Sequence, residues 1–336
     1  MKSPRLIEKK IYRVRARWKN WKKNYNWVRN KEKKIVRKRK RRLISKRPKV
    51  IIVPRVFSME KNHENLINFF HSLNNLHKLQ IRQILFDFEE AETISNGAMT
   101  ILLSHIGWLK DHGISSSCTY PIHKEARLEF ISSGFLSFFK TIGQRYYNKS
   151  LNDIVARGNI HTDSVLTAKI IRQSTRTIWG LSDRNLKLQG LLIELMANTI
   201  NHAYHNSKNQ KGWYFSVSHN LKNHSVKFCF VDNGSGILNT IHLKFKEKIA
   251  NIIGLNKNQT IIEKAFQGEF GSRTRLTNRG RGLKVVKKLF DESYIKNLKV
   301  LTNNVLYDFD NQKINELSQN FQGTFYFWEI DKNCNR

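Results

Sequence analysis

Leu186-Lys187-Leu188-Gln189-Gly190-Leu191-Leu192-Ile193-Glu194-Leu195-Met196-Ala197-Asn198-Thr199-Ile200-Asn201-His202-Ala203 decides the reading of the C-terminal half. With Asp183-Arg184-Asn185 in front, the run has the pattern of a long amphipathic helix. At about 100° per residue, Glu194, Asn198, Asn201, His202 and His205 gather on one face, and Leu188, Leu192, Leu195, Met196 and Ile200 lie around the other. A carboxylate and an amide one turn apart suit a nucleotide site. The amide oxygen can ligate Mg²⁺ between phosphates, and the carboxylate can orient an attacking water. Such a pair on its own is an ordinary solvated helix face.

Two downstream motifs add to it. Ser225-Val226-Lys227-Phe228-Cys229-Phe230-Val231 reads as a strand running into Asp232-Asn233-Gly234-Ser235-Gly236-Ile237. A buried carboxylate there can accept from the exocyclic amine of adenine, and the glycines let backbone approach a base. Further on, Asn278-Arg279-Gly280-Arg281-Gly282-Leu283-Lys284-Val285-Val286 puts two glycines at the start of an apolar-periodic helix. Free N–H groups and the helix dipole favour phosphate at such a start.

In this order, the Glu-x-x-x-Asn-x-x-x-His helix, the Asp-x-Gly-x-Gly turn and the Gly-x-Gly-Leu helix start resemble the three boxes of the GHKL superfamily. That superfamily comprises gyrase, chaperones of the Hsp ninety kind, histidine kinases and mismatch-repair ATPases. The resemblance spans about residues 182 to 330 and includes Gly323-Thr324-Phe325-Tyr326-Phe327-Trp328, similar to the family's last strand. It implies an α/β-sandwich Bergerat ATP-binding domain. By position it implies Glu194 as general base, Asn198 as Mg²⁺ ligand, and Asp232 as adenine reader with Gly234 and Gly236 beside the base. His202 and Leu283 fall in the same boxes, Gly280 and Gly282 become a phosphate-facing lid hinge, and Thr324 supports adenine through water. Arg273, with Arg275, Arg279 and Arg281, lies in the lid segment; these arginines reach phosphate or continue the basic surface.

Ahead of this region, Lys49-Val50-Ile51-Ile52-Val53-Pro54 reads as a strand, about 59–77 as a helix and Gln83–Phe88 as a buried strand. Ser95–His112 reads as a helix closed by Gly113, followed by a strand over Ile114–Tyr120 and a helix over Glu125–Ser132. Alternation of this kind predicts a small, largely parallel sheet with helices beside it. The stretch from Ile84 to Phe139 resembles the STAS domains of anti-sigma-factor antagonists and sulfate transporters through its element order and strand-loop-helix hinge. The regulatory family carries a phosphorylatable Ser followed by Ser-Gly in that hinge. Here Ser95 precedes Asn96-Gly97, which suits an N-cap better. The expected organisation is a basic arm over 1–48, a STAS-like α/β domain over 49–145, a connecting segment over 146–181 and the ATP-binding domain over 182–332.

The chain has 336 residues, 60 Lys and Arg against 26 Asp and Glu, and a net charge of +34. Residues 1–48 hold 22 of the basic residues against Glu8 and Glu32, a net +20. Ile11, Val14, Trp18, Trp21, Tyr25 and Val28 recur every three or four positions, which predicts an amphipathic helix with an aromatic seam. Arg13, Arg15, Arg17, Lys19, Lys22 and Lys23 surround it, and Arg37, Lys38, Arg39, Lys40, Arg41 and Arg42 follow in a charge block. The arm reads as binding nucleic acid, DNA or RNA, by phosphate neutralisation. Docking of the seam on a protein partner or on the body of the chain, and adsorption to an anionic membrane, are the other readings.

No run approaches the roughly 18 apolar residues of a spanning helix. Met1–Lys10 lacks an apolar core behind it, so a cytoplasmic location is expected. Cys118, Cys229 and Cys334, odd in number and widely spaced, read as free thiols. His161 lacks the acidic-basic-Pro surroundings of a phospho-acceptor, which disfavours a histidine kinase. A serine kinase stays open, because a STAS-like module is the usual substrate of such a kinase. The sequence thus points to an ATP- and Mg²⁺-binding switch or slow ATPase associated with nucleic acid. The resemblance also implies ATP-dependent homodimerisation, and the STAS-like module a protein partner. The alternatives are a protein kinase and a non-hydrolysing ATP-sensing subunit of a bacterial complex.

Overall fold

The computed structural model describes residues 23, 48–79, 81–138, 140–141, 154–158, 161–202, 212–244, 257–270 and 282–336. The chain is mixed α/β. Its first part runs β1 (Lys49–Ile52), β2 (Val56–Phe57), α1 (Met59–Leu73), β3 (Gln83–Asp87), β4 (Thr93–Ile94), α2 (Asn96–Asp111), β5 (Ser115–Cys118), α3 (Lys124–Ser132) and β6 (Lys140–Thr141). Strands β1-β3-β5-β6 form a sheet in that order with every pair parallel, as the alternating pattern requires, and β2 and β4 form a small parallel pair. Ser95 caps α2, its side chain accepting from Ala98 N–H. The helix expected over 59–77 stops at Leu73 and resumes as a separate 3₁₀ turn over Leu76–Lys78. Asn74-Asn75 lies at the break, where amide side chains compete with helical hydrogen bonding.

The second part runs β7 (Ile154–Gly158), α4 (Ser164–Trp179), α5 (Leu186–His202), β8 (Trp213–Asn220), β9 (Ser225–Asp232), α6 (Ile237–Lys244), α7 (Lys257–Gln267), α8 (Gly282–Asp291), β10 (Lys296–Asp308) and β11 (Lys313–Ile330). Its five strands lie in the order β10-β11-β9-β8-β7, all antiparallel. The stretch read as a connector over 146–181 carries β7, the edge strand of this sheet, and α4. Asp163 caps α4 through Leu166 N–H, and Asn185 caps α5 through Leu188 N–H at 3.0 Å.

The antiparallel sheet is covered on both faces, which explains its nearly continuous apolar strands. Trp213, Phe215, Phe228, Phe230, Tyr326 and Trp328 face an apolar cluster with Leu188, Leu191, Leu192, Leu195 and Met196 of α5 and Val286 and Leu289 of α8. The alternate residues Tyr214, Cys229, Val231, Phe325 and Phe327 join a second cluster with Leu66 and Phe70 of α1 and Met99, Leu102, Leu103 and Ile106 of α2. Helices α1 and α2 of the parallel layer therefore each turn an apolar face onto the antiparallel sheet. Burial on this scale is worth roughly 1.5–3 kcal/mol per large apolar side chain before chain entropy is counted. No helix among the described residues is long and apolar enough to cross a membrane. The three cysteines are free and buried.

Candidate functional site

β9 alternates strictly. Val226, Phe228 and Phe230 belong to the cluster on the α5 side, so Asp232 at the strand end points the same way. Asp232 is 9% exposed. Its Oδ1 accepts from Gly234 N–H at 2.8 Å, and Thr324, its cross-strand neighbour on β11, donates to it from hydroxyl and backbone. Burial pushes its carboxyl up to about 6, outweighing those hydrogen bonds. No Lys or Arg pairs with it among the described residues.

The turn after Asp232 is held from two sides. Asn233 Nδ2 donates to the Ser104 carbonyl of α2 at 3.0 Å. On the other side, Asn303 Nδ2 donates to the Ser235 carbonyl at 3.1 Å, and Asn303 Oδ1 accepts from Leu238 N–H at 3.1 Å. Thr302 Oγ1 accepts from Ile237 N–H at 2.8 Å. The first two N–H groups of α6 are thus consumed by β10 side chains and do not offer themselves to an anion. Gly236 adopts φ +81°, and a Cβ there would lie 2.4 Å from Asn303 Oδ1. Thr302 and Asn303 belong to none of the three sequence motifs. Their trace in the sequence is Asn303-Asn304 interrupting an apolar strand. The structure has Asn303 at φ 51° beside a register shift of β10.

From α5, Glu194 and Asn198 are both partly buried, and burial raises the Glu194 carboxyl. α8 meets α5 here: a Cβ added to Gly282 would stand 2.0 Å from Asn198 Nδ2. The third motif is thereby placed against the first. Leu283 packs on the α5-side apolar cluster. Gly234 lies in the held turn and Thr324 beside the carboxylate. Arg273 and Gly280 lie outside the described residues, as do the His202 side chain, all of the basic arm residues named above but Lys23, and the remaining lid arginines. Lys23 is helical and exposed. His161 is exposed.

The residues fit a Mg-nucleotide by their donor chemistry: a buried acceptor, an amide oxygen, and a helix start lacking a side chain. Among the described residues no group of three or more His, Cys, Asp or Glu is arranged to hold a metal by itself. A separate cavity of about 820 Å³ lies at the other end of β8 and β9, lined by Gln173, Arg176, Trp179, His219, Leu221 and Lys332. It contains none of the motif residues. His219 there bonds Thr177 Oγ1 at 2.8 Å, and burial lowers its imidazole to about 4, so it is neutral at pH 7.

In comparison with known proteins, no family description matches the chain and no curated protein is significantly similar to it.

Proposed function

We propose that the chain binds Mg·ATP between α5, the start of α8 and the Asp232 end of β9. The observation that carries this reading is Asp232 itself. A carboxylate buried without a cation costs several kcal/mol unless a ligand uses it, and perturbed carboxylates concentrate at functional sites. Thr324 and Gly234 fix its orientation, leaving acceptor capacity for an exocyclic amine. Asn198 would contribute an oxygen to Mg²⁺, Gly282 would let the Asn198 amide lie against the first turn of α8, and Glu194 would orient water. Bound Mg·ATP would supply the activated terminal phosphoryl group. Resemblance to the GHKL superfamily supports the same assignment of roles, with Arg273, Gly280 and His202 completing it.

Isothermal titration with ATP, with and without Mg²⁺, tests the reading. Micromolar binding lost in Asp232→Asn and weakened in Asn198→Ala is expected. Wild type and both variants giving no heat would reject it.

The function that combines this site with the chain's charge is an ATP-dependent switch or slow ATPase on nucleic acid, with the basic arm neutralising phosphates. Binding to duplex DNA, single-stranded DNA and RNA should fall steeply with salt, with a slope reduced when 1–47 are deleted. A salt-independent or absent interaction would remove the nucleic-acid half of the proposal. Incubation with γ-labelled ATP separates hydrolysis from the kinase alternative, since only a kinase leaves label on a protein band.

A further inference from the structure

The turn bearing Asp232 is gripped by the parallel layer of the molecule. Asn233 reaches the Ser104 carbonyl in the third turn of α2 at 3.0 Å, using the lone pair that helical hydrogen bonding leaves free. The position of that carbonyl is set by how α2 sits on the antiparallel sheet. Small residues seat it: Gly97 lies under Phe325, with a Cβ there only 3.1 Å from the ring, and Thr100 Oγ1 meets Ser216 Oγ at 2.6 Å. Gly107 takes the Tyr214 hydroxyl, which would lie 2.1 Å from a Cβ. Ser104 stands between Thr100 and Gly107 and is buried. Any side chain at 107 must lift the helix or displace Tyr214, and either shift moves the carbonyl that Asn233 holds.

We propose that Asn233 is a positioning residue for the nucleotide, acting through α2, so that occupancy of the Asp232 pocket and the seating of α2 on the sheet are coupled. This rests on the Mg·ATP reading above. Asn303 anchors the Ser235 end of the turn to β10, and Asn233 anchors its Asp232 end to α2. Nucleotide bound to Asp232 selects the turn geometry in which Asn233 reaches Ser104. By reciprocity, a shift of α2 changes nucleotide affinity. The parallel layer, on this account, reads the nucleotide state from inside the molecule.

Mg·ATP titration of wild type, Asn233→Ala, Gly107→Ala, Tyr214→Phe, the pair Gly107→Ala/Tyr214→Phe and the pair Asn233→Ala/Gly107→Ala tests it, with ligand-free melting of each. Asn233→Ala should weaken binding roughly three- to tenfold, the worth of one neutral hydrogen bond. Gly107→Ala should weaken it similarly although it touches no pocket residue, and Tyr214→Phe should restore much of the loss. The Asn233→Ala/Gly107→Ala pair should bind no worse than the weaker single variant, because both break one connection. ATP should also slow amide exchange in α2 of wild type and not of Asn233→Ala, a readout that loss of stability alone does not move. Wild-type binding with unchanged affinity in Asn233→Ala, or with multiplied losses in the pair, overturns the inference and leaves the nucleotide site standing. Wild type that fails to bind Mg·ATP overturns both.

Discussion

Thr324 stands directly across the β9–β11 ladder from Asp232, and the preceding Gly323 comes so close that a Cβ on it would lie 1.8 Å from the Asp232 carbonyl oxygen. The Gly-Thr pair is thus a device for seating the carboxylate, with glycine admitting the strand and threonine supplying the donor. Gly323 also has φ +92°. Gly323→Ala meets backbone rather than a yielding side chain and adds left-handed strain, so a loss of about 3 kcal/mol or more is expected. Chemical denaturation checks it; a midpoint within error of wild type would show that the strands can part there without cost.

Asp232→Asn should separate stability from binding. The folded carboxyl sits at about 6, raised from the ordinary 3.8 by burial. Between those values the folded state holds a proton that the unfolded state has lost, so this group's contribution to stability falls as pH rises from 3.8 through 6. Above pH 6 the full cost applies, about 3 kcal/mol at roughly 1.4 kcal/mol per unit. Asparagine keeps the acceptor for Gly234 N–H and carries no charge; it gives up the bond from Thr324 N–H, about 1 kcal/mol, which is less than the cost it removes. The variant should melt higher than wild type at pH 8, with the gain shrinking toward pH 4. In wild type, ATP affinity should fall as pH drops through 6. A variant less stable at pH 8 than wild type would refute the burial argument.

Gly282→Ala isolates the contact between the first and third motifs. Gly282 is the first residue of α8, where the helix-interior preference for alanine does not apply, and a Cβ there would lie 2.0 Å from Asn198 Nδ2. That amide ends a flexible side chain and can turn aside, so melting should hardly change while Mg·ATP affinity drops about tenfold. The Gly282→Ala/Asn198→Ala pair should bind like Asn198→Ala alone. Undiminished affinity in the single variant would show that Asn198 does not need its observed position.

Much of this was legible in the chain. The parallel layer, the apolar stripe of α5, the Ser95 cap and the strand ending at Asp232 follow from periodicity and capping, which are local. What was not legible is non-local. Nothing in Gly97, Thr100, Ser104 and Gly107 announces that α2 lies against a sheet more than 100 residues downstream, because small residues carry no period of their own. β7 is not legible because a five-residue strand between polar segments gives a weak signal until β8 exists to pair with it. Thr302 and Asn303 cap a helix 65 residues earlier in the chain, and capping motifs are recognisable only when cap and helix are adjacent.

Asn303→Ala should remove that cap. Leu238 N–H loses its partner in a buried setting, at about 1–3 kcal/mol, the half-buried Ser235 carbonyl loses one bond, and alanine tolerates the observed φ of 51° less well than asparagine. Asn303→Gly relieves the backbone but not the hydrogen bonds, so it should recover only part of the loss. Thermal melting of the two variants orders them; equal stability of all three proteins would mean that the turn is held elsewhere.

Glu194→Gln decides between turnover and sensing. The carboxyl lies one helical turn before Asn198, partly buried, and burial raises its proton affinity, which suits a general base. Glutamine preserves shape and hydrogen bonding to water while removing basicity. If the chain hydrolyses ATP, phosphate release should fall by roughly 10²–10⁴-fold with the Kd for Mg·ATP nearly unchanged. The wild-type rate should also decline on the acid side as Glu194 takes up its proton. Wild type and variant releasing phosphate at the same background rate, with both binding Mg·ATP, would assign the pocket to sensing and leave the Asp232 and Asn198 roles intact.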